Sequence, residues 1–309
     1  MSDIPIFLAS DDNYAPYVAT TMASICYNTK SFIDFYILDG GISGFNKKQL
    51  EALKKNFRNF SIEFIGVKKE EFFKDFRVNK HFTSDMYSRF LISQLKPNIE
   101  KGIYLDVDII ALGDIAELFN EDLGEYALGA VPKYLLQEDH TRWKATFDLS
   151  DKHKYFNSGV LLLDLKKWRA TDTISGLFEI EQSYREKLQC PDQDILNKRF
   201  DNDYMILDGK YNIMTNEMHQ KGYVYKEPLL RHFNGSVKPW HATSFYNFPI
   251  QHFNEFWFFA SMTHFYPGLQ MQFIANTSKL KSEQTEFMNA IKKPSPQLLE
   301  ELRQSVKKR

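Results

Sequence analysis

The first 110 residues alternate between short apolar runs and longer segments whose apolar residues recur at helical spacing. Each of three strand-like runs is followed by a helical pattern, at residues 4–10 and 14–29, 32–39 and 45–57, and 60–67 and 84–95. This alternation predicts an α/β protein with a mostly parallel sheet that is covered by helices on both faces. In such sheets ligands bind beyond the carboxyl ends of the strands, so we expect a site near residues 9–13.

The pattern changes after about residue 170. Helical segments at 174–188 and 190–200 are followed by short strand candidates at 204–208 and 227–233. Pro191 and Asp192 are typical of a helix start. The sequence contains neither an internal repeat nor a low-complexity linker, so we interpret residues 1–245 as one domain and residues 246–309 as an aromatic and basic C-terminal region.

Charge and cysteine content limit the function classes. The net charge of −1 gives no support for binding nucleic acid, whose partners usually carry a basic face. The two cysteines, Cys26 and Cys190, lack metal-type spacing, which favours a reduced compartment over a disulfide scaffold. The N-terminal residues are too few and too polar for a signal peptide, and no window is long and apolar enough to span a membrane. We therefore expect a cytoplasmic protein.

The stretch YLDVDII (104–110) places two aspartates one residue apart in a run that otherwise predicts a buried strand. In a strand, residues i and i+2 share a face, so Asp106 and Asp108 would converge. Two close carboxylates repel each other unless a positive charge lies between them. The alternative is that one aspartate caps a turn and the other is exposed.

The stretch HFNGSVKPW (232–240) supplies a third metal-ligand candidate. His232 follows a predicted strand, Gly235 permits close backbone approach, and Lys238 adds a cation. A histidine at a strand end is, taken alone, more often a packing or surface residue. Together with the paired aspartates, however, it suits Mn²⁺ or a similar octahedral cation with open coordination positions. The lysine and the glycine turn suggest that a diphosphate fills these positions.

Five motifs in order resemble glycosyltransferase family 8: FLASDDNY, MYSRF before YLDVDII, FNSGVLLLDL, PDQDILN and HFNGSVKPW. The resemblance spans about residues 4–240. The family includes bacterial lipopolysaccharide α-galactosyl- and α-glucosyltransferases and is more distantly similar to glycogenin. It implies a GT-A fold, a Mn²⁺ cofactor with Mg²⁺ as the alternative, a UDP-hexose donor, a saccharide or glycolipid acceptor, and transfer with retention at the anomeric carbon.

The resemblance also implies a role for each matching residue. The metal ligands would be Asp106, Asp108 and His232, with Val107 beside them in the donor site. Uridine would contact Ala9, Asp11 and Asn13. The sugar and the pyrophosphate would be held by Arg89, Asn157 and Asp192, and the β-phosphate by Gly235 and Lys238. Without the motifs, Asp11 or Asp12 could instead cap the next helix, Arg89 could form a surface ion pair and Asn157 could occupy a turn.

Gln193, with Asp192 beside it, is the catalytic candidate and would lie beneath the anomeric carbon. A neutral amide is a poor nucleophile, which favours attack by the acceptor on the face that UDP leaves. Asp192 and Asp194 flank Gln193, so a covalent route through a carboxylate stays open. The competing functions are a HAD-type phosphatase, which carries a D-x-D on its first strand, and a nucleotide-sugar-binding protein without turnover.

The C-terminal region permits two interpretations. Its aromatic residues, including Phe256, Trp257, Phe258 and Phe259, belong either to the core or to a patch that enters a membrane interface. In the second case the lysines of the tail would bind anionic lipid, giving peripheral contact with the inner face of the cell membrane and a lipid-linked acceptor such as the lipopolysaccharide core. The donor sugar, galactose or glucose, is left open by the sequence.

Overall fold

The computed structural model describes residues 3–74, 76, 84–134, 137–218, 227–241 and 250–277. The strands are β1 Ile4–Ser10, β2 Ile33–Asp39, β3 Phe60–Gly66, β4 Lys101–Leu105, β5 Ile109–Ala111, β6 Leu128–Pro132, β7 Phe156–Asp164, β8 Met205–Ile206, β9 Ile213–Met214 and β10 Leu230–His232. The helices are α1 Ala15–Asn28, α2 Gly44–Glu51, α3 Lys69–Phe72, α4 Ile92–Leu95, α5 Ala116–Phe119, α6 Gln137–Phe147, α7 Leu165–Ala170, α8 Thr173–Tyr184, α9 Pro191–Arg199, α10 Ile250–Ala260 and α11 Tyr266–Thr277. Short 3-10 helices cover Ala52–Lys55, Ser84–Leu91, Arg185–Lys187 and Gly209–Tyr211.

Seven strands form the central sheet, in the order β3-β2-β1-β4-β7-β6-β8. Strands β3, β2, β1 and β4 are parallel to one another, and β6 is parallel to β8, whereas β7 runs antiparallel to both of its neighbours. The predicted α/β fold with a mostly parallel sheet is therefore confirmed. A second sheet of three short strands has the order β5-β10-β9.

The core lies on both faces of the central sheet because its strands are apolar on both sides. In β1, Ile6 and Leu8 belong to the core cluster that includes α1, whereas the intervening Phe7 packs with Tyr87 and Phe90 on the opposite face. All five side chains are fully buried. This arrangement leaves the carboxyl ends of β1 and β4 side by side at one edge of the sheet.

The prediction that YLDVDII forms one strand is wrong. Strand β4 ends at Leu105, residues 106–108 form a turn, and β5 pairs with β10 in the smaller sheet. The chain leaves the central sheet here because Ile109 pairs with His232, a partner from much later in the sequence. Asp106 and Asp108 therefore converge through a turn between two sheets and not through the alternation of side chains along one strand.

The segment 84–95, predicted as a helix, is helical but mostly of the 3-10 type, with a final α-helical turn at Ile92–Leu95. The guanidinium of Arg89 donates from Nε to the carbonyl oxygen of Met86 at 2.9 Å. In a regular α-helix this carbonyl would accept from the N–H of Phe90. The segment thus turns the Arg89 side chain inward, toward the end of β4.

Helix α10 packs its aromatic side chains into the protein. Phe256, Trp257, Phe258 and Phe259 are at most 3% exposed and share a cluster with Phe233, which follows β10. Of the two interpretations of these four residues, the core is therefore the correct one. The division at residue 245 stays a prediction, and the basic segment 278–309 lies outside the described residues. Among the residues that the structure describes, no helix is long and apolar enough to cross a membrane.

Candidate functional site

The turn 106–108 is fixed by hydrogen bonds from three different parts of the fold. The N–H of Asp106 donates to the carbonyl of Gly159 in β7 at 2.8 Å, which extends the β4–β7 pairing by one bond. Thr21 of α1 donates from its hydroxyl to the carbonyl of Val107 at 3.0 Å, and Phe233 donates from its N–H to the carbonyl of Asp108 at 2.9 Å. The positions of both carboxylates therefore depend on the central sheet, α1 and β10 together.

Asp106, Asp108 and His232 form a group that fits a divalent metal ion. One ligand atom from each residue lies within 4.8 Å of the others, and His232 Nε2 is 3.2 Å from Asp108 Oδ1 and 3.9 Å from Asp106 Oδ2. A Cβ at Gly159 would lie 2.4 Å from His232 Cε1 and 2.7 Å from Asp106 Oδ2, so only glycine keeps this space open. Two carboxylates and one imidazole suit Mn²⁺ or Mg²⁺ better than thiophilic metals.

Arg89 connects the metal-ligand group to a third carboxylate. Its guanidinium is 3.0 Å from Asp106 Oδ1 and 3.1 Å from Asp192 Oδ2, donates to the carbonyl of Ser158 at 2.7 Å, and lies over the ring of Tyr104. Only 5% of Arg89 is exposed. Burial raises the pKa of Asp192, although Arg89 acts in the opposite direction. Arg89 is therefore a buried ion-pair partner and not the surface ion pair that the sequence allowed.

Lys238 supplies a second cation from the loop after β10. Its ammonium is 2.5 Å from Asp108 Oδ2 and donates to the carbonyl of Phe233 at 2.8 Å. Burial disfavours the charged form of Asp108, but Lys238 and His232 outweigh it and hold the pKa of this carboxyl far below its usual range. Asp108 therefore stays ionised, as a metal ligand must be.

Two adjoining cavities meet at this group. The first, about 260 Å³, is lined on its far side by Ala9, Ser10, Asp11, Tyr14 and Asp85. The second, about 280 Å³, is lined on its far side by Asn157, Ser158, Cys190, Asp192, Gln193, His232, Asn234 and Gly235. Both are lined by Met86, Arg89, Asp106, Asp108 and Lys238. A ligand that fills both cavities therefore passes directly over the metal-ligand residues.

Comparison with known proteins agrees with this arrangement. The sequence profile of Glycosyl transferase family 8 matches residues 5–244. The chain belongs to this family. The match decides against the phosphatase alternative and agrees with the five motifs.

Two curated family relatives and one solved structure show how similar the chain is. It is 30% identical over 244 residues to a putative glycosyltransferase of Haemophilus influenzae, covering 76% of this chain and 72% of that protein. It is also 30% identical over 251 residues to the lipopolysaccharide 1,2-glucosyltransferase of Escherichia coli K12, with the same coverage. The crystal structure of galactosyltransferase LgtC with donor and acceptor sugar analogues superposes with a TM-score of 0.75 at 29% identity, covering 86% of this chain and all of that one. The predicted GT-A fold is thus confirmed.

The structure brings nearly all the residues predicted from the family 8 motifs to the two cavities. Ala9, Asp11 and Val107 line the first cavity, and Asn157, Asp192, Gln193, His232 and Gly235 line the second, with Arg89, Asp106, Asp108 and Lys238 between them. Gly235 has a φ of 99°, a conformation that favours glycine. Asn13 is exposed and is not among the described residues that line either cavity.

The polar residues at the far end of the second cavity bond to one another. Gln193 Oε1 accepts from Asn157 Nδ2 at 2.9 Å and from the N–H of Ser158 at 3.3 Å. Asp192 Oδ2 accepts from the hydroxyl of Ser158 at 2.9 Å. Asn157 lies within β7 and not in a turn, so that its side chain faces α9, which carries Asp192 and Gln193.

Asp194 is held differently from Asp192. One carboxylate oxygen accepts from the Tyr155 hydroxyl, and the other accepts from the N–H groups of Gln189 at 2.7 Å and Cys190 at 2.9 Å, at the start of α9. Burial raises the pKa of Asp194 to about 6, and the hydrogen bonds limit that rise. Both oxygens of Asp194 therefore already accept hydrogen bonds.

Several functional candidates were missed in the sequence. Tyr14 is 47% exposed and lines the first cavity beside Asp11. Gly159 lies two residues after Asn157 in FNSGVLLLDL, and the residues that come after it in this motif predict only a buried strand. Asn212 Oδ1 lies 3.0 Å from His232 Nδ1, but an isolated asparagine in YNIM has no spacing that points to a site. Of the three, Tyr14 had the clearest signal, because it lies at the end of the FLASDDNY motif.

Proposed function

We propose that this protein is a retaining hexosyltransferase that moves galactose or glucose from a UDP-sugar to a saccharide acceptor, with Mn²⁺ held by Asp106, Asp108 and His232. The observation that carries the proposal is the position of these three residues. They lie where two adjoining cavities meet, one lined by residues suited to a nucleoside and the other by buried amides and carboxylates suited to sugar hydroxyls.

The first cavity would hold uridine. The carboxylate of Asp11 can accept a hydrogen bond from the uracil N–H, while the small side chain of Ala9 leaves room for the base. Asp11 also accepts from the N–H of Tyr14 at 3.1 Å, which sets the direction of its carboxylate. The exposed ring of Tyr14 offers a face on which a base can stack.

Breaking the bond between sugar and phosphate places negative charge on the UDP leaving group. A bound divalent cation would neutralise part of this charge. The ammonium of Lys238, which lines both cavities, would stabilise the remainder as it develops. The buried guanidinium of Arg89 would keep Asp106 and Asp192 in place during this step, because it bonds to both carboxylates.

The hydrogen bonds of α9 favour attack by the acceptor from the face that UDP leaves. Gln193 is neutral, and its carbonyl oxygen already accepts two hydrogen bonds. A covalent route through Asp194 would require this carboxylate to give up bonds from Tyr155 and from two backbone N–H groups. Attack on that face would retain the anomeric configuration, and the departing phosphate would accept the proton of the acceptor hydroxyl.

The relatives guide the choice of acceptor. The Escherichia coli relative is named a lipopolysaccharide glucosyltransferase, and the solved LgtC is named a galactosyltransferase. We propose, by analogy, an acceptor sugar in bacterial lipopolysaccharide or another surface glycan. Peripheral membrane contact through residues 278–309 would suit such an acceptor.

A panel of nucleotide sugars tests the proposal. The protein is incubated with Mn²⁺ and UDP-galactose, UDP-glucose, UDP-N-acetylglucosamine or GDP-mannose, and the released nucleoside diphosphate is measured with and without lactose or lipopolysaccharide core oligosaccharide. We expect release from one UDP-hexose, its loss in EDTA and its recovery with Mn²⁺. The anomeric proton coupling of the product reports retention. No release from any UDP-hexose under these conditions would overturn the proposal.

A further inference from the structure

A continuous row of buried polar side chains runs from His232 to Asp194. The contacts are His232 Nδ1 to Asn212 Oδ1 at 3.0 Å, Asn212 Nδ2 to Asn157 Oδ1 at 2.8 Å, Asn157 Nδ2 to Gln193 Oε1 at 2.9 Å, Gln193 Nε2 to Tyr155 OH at 3.1 Å, and Tyr155 OH to Asp194 Oδ1. We call this row the amide chain. None of its six residues is more than 8% exposed.

Backbone groups fix the orientation of two amides in the chain. The N–H of Gly159 donates to Asn157 Oδ1 at 3.0 Å, and the N–H of Ser158 donates to Gln193 Oε1 at 3.3 Å. Because a backbone N–H can only donate, these two contacts identify the oxygen of each amide. The nitrogens of both side chains therefore point along the chain toward Asp194.

Asp194 fixes the other end. It accepts hydrogen bonds from two backbone N–H groups as well as from the Tyr155 hydroxyl. Tyr155 must then donate to Asp194 and accept from Gln193 Nε2. Every hydrogen bond in the chain has the same direction, with the donor on the His232 side and the acceptor on the Asp194 side.

This direction determines the tautomer of His232. Asn157 presents its oxygen to Asn212, so Asn212 must present its nitrogen to Asn157 and its oxygen to the imidazole. An amide oxygen only accepts, and the Nδ1 of His232 therefore carries a proton. Nε2, which lies 3.2 Å from Asp108 and 3.9 Å from Asp106, is then the ring nitrogen left to coordinate a metal ion.

We propose that Asn212 is a positioning residue that fixes the tautomer and orientation of His232 for the metal ion and links the metal-ligand group, through Asn157, to Gln193. The inference rests on the proposed metal site. It goes beyond that site because it assigns a role to a residue that is neither in the metal-ligand group nor among the described residues lining the two cavities. Loss of such an outer partner of a metal ligand typically weakens metal binding about 10–100-fold.

Two substitutions at Asn212 separate its two contacts. Asn212→Leu has a similar volume but removes both, whereas Asn212→Asp keeps an oxygen for Nδ1–H and loses the donor to Asn157. Mn²⁺ alone is titrated into each purified protein, and free Mn²⁺ is measured by electron paramagnetic resonance. We expect Asn212→Leu to bind about 10–100-fold more weakly. Asn212→Asp should bind nearly as tightly as the unmodified protein but hydrolyse UDP-sugar with a lower kcat.

Asn59→Leu is the matched control, because Asn59 donates from its amide to three backbone carbonyls far along the sheet from the site. It should lower the melting temperature without changing Mn²⁺ affinity. Unchanged Mn²⁺ binding by Asn212→Leu, or equal weakening by Leu and Asp, would overturn the assignment while leaving the proposed function intact. Absence of Mn²⁺ binding by the unmodified protein would overturn both.

The tautomer can also be read without any substitution at Asn212. With ¹⁵N-histidine labelling and His232→Gln to assign the signal, long-range ¹H–¹⁵N correlation spectra of the unmodified protein, recorded above pH 7.5 without metal, report which ring nitrogen carries the proton. We expect Nδ1–H for His232. A spectrum in which Nε2 alone carries the proton would refute the inference, even if the Asn212 variants do not fold.

Discussion

Substitution of Gly159 by alanine is the smallest change that should remove the metal site. The added Cβ would lie 2.4 Å from His232 Cε1 and 2.7 Å from Asp106 Oδ2. Since unstrained contacts between carbon atoms lie at about 3.5–4.0 Å, the imidazole would have to retreat by about 1 Å. Metal–ligand distances tolerate changes of only about 0.2 Å, so at least one ligand should be lost.

The expected result is a decrease of at least about 10²-fold in Mn²⁺ affinity and in UDP-sugar turnover, the size of effect that a misplacement of 1 Å produces. The free energy of unfolding should fall by about 1–3 kcal/mol, because the site around β7 is already well packed. Mn²⁺ binding is measured by paramagnetic resonance and stability by denaturant titration. Partial unfolding is thereby distinguished from loss of the site.

Gly66→Ala is the matched control. Gly66 ends β3, and a Cβ there would meet no atom within 4 Å. This variant should bind Mn²⁺ and turn over as the unmodified protein does. If Gly159→Ala bound Mn²⁺ with unchanged affinity, Asp106 and His232 could not be ligands of the same ion, and the metal assignment would be wrong.

Four further outcomes are expected. Lys238→Ala should lower kcat by about 10²–10³-fold, as loss of one donor to developing charge does; a change in KM alone would contradict this. Asp11→Ala should instead raise KM, because uracil contacts are equal in the ground and transition states. Burial raises the pKa of Cys190 to about 11, so iodoacetamide should label this thiol in the folded protein only as the pH rises toward that value. Labelling is read by mass spectrometry, and rapid labelling at pH 7.5 would contradict this prediction. Truncation after residue 277 should weaken sedimentation with phosphatidylglycerol vesicles and leave UDP-sugar hydrolysis nearly unchanged. The full-length protein should be released from these vesicles as the salt concentration rises. Equal sedimentation of the truncated and full-length proteins would show that residues 278–309 have no such role.

Local sequence patterns were sufficient for the first half of the central sheet. Strands β1, β2 and β3 and helix α1 begin and end within one residue of the predicted bounds, because apolar periodicity and the turns between them are local properties. The end of β4 was not predictable in this way. Whether residues 106–111 continue one sheet or enter another depends on pairing with β10, which lies far along the chain.

The residues around the metal-ligand group show the same limit. Carboxylates, a histidine and a lysine at characteristic spacing could be recognised from motifs, since their chemistry is unusual for a strand end. Asn212 and Gly159 could not, because their importance arises from what lies beside them in the fold. For Asn212 this is the imidazole of His232, and for Gly159 it is the space between His232 and Asp106.

The charges of the site explain why two aspartates must be so close together. Among the described residues, the lysine and arginine partners of Asp106, Asp108 and Asp192 are Arg89 and Lys238, so the carboxylates are in excess before any ligand binds. A sugar diphosphate adds a negative charge on each phosphate and would be repelled. A divalent ion held by Asp106, Asp108 and His232 would reverse the sign of the site on the side that faces the cavities. Metal and donor should therefore strengthen each other's binding by the same factor, since linkage between two sites is reciprocal.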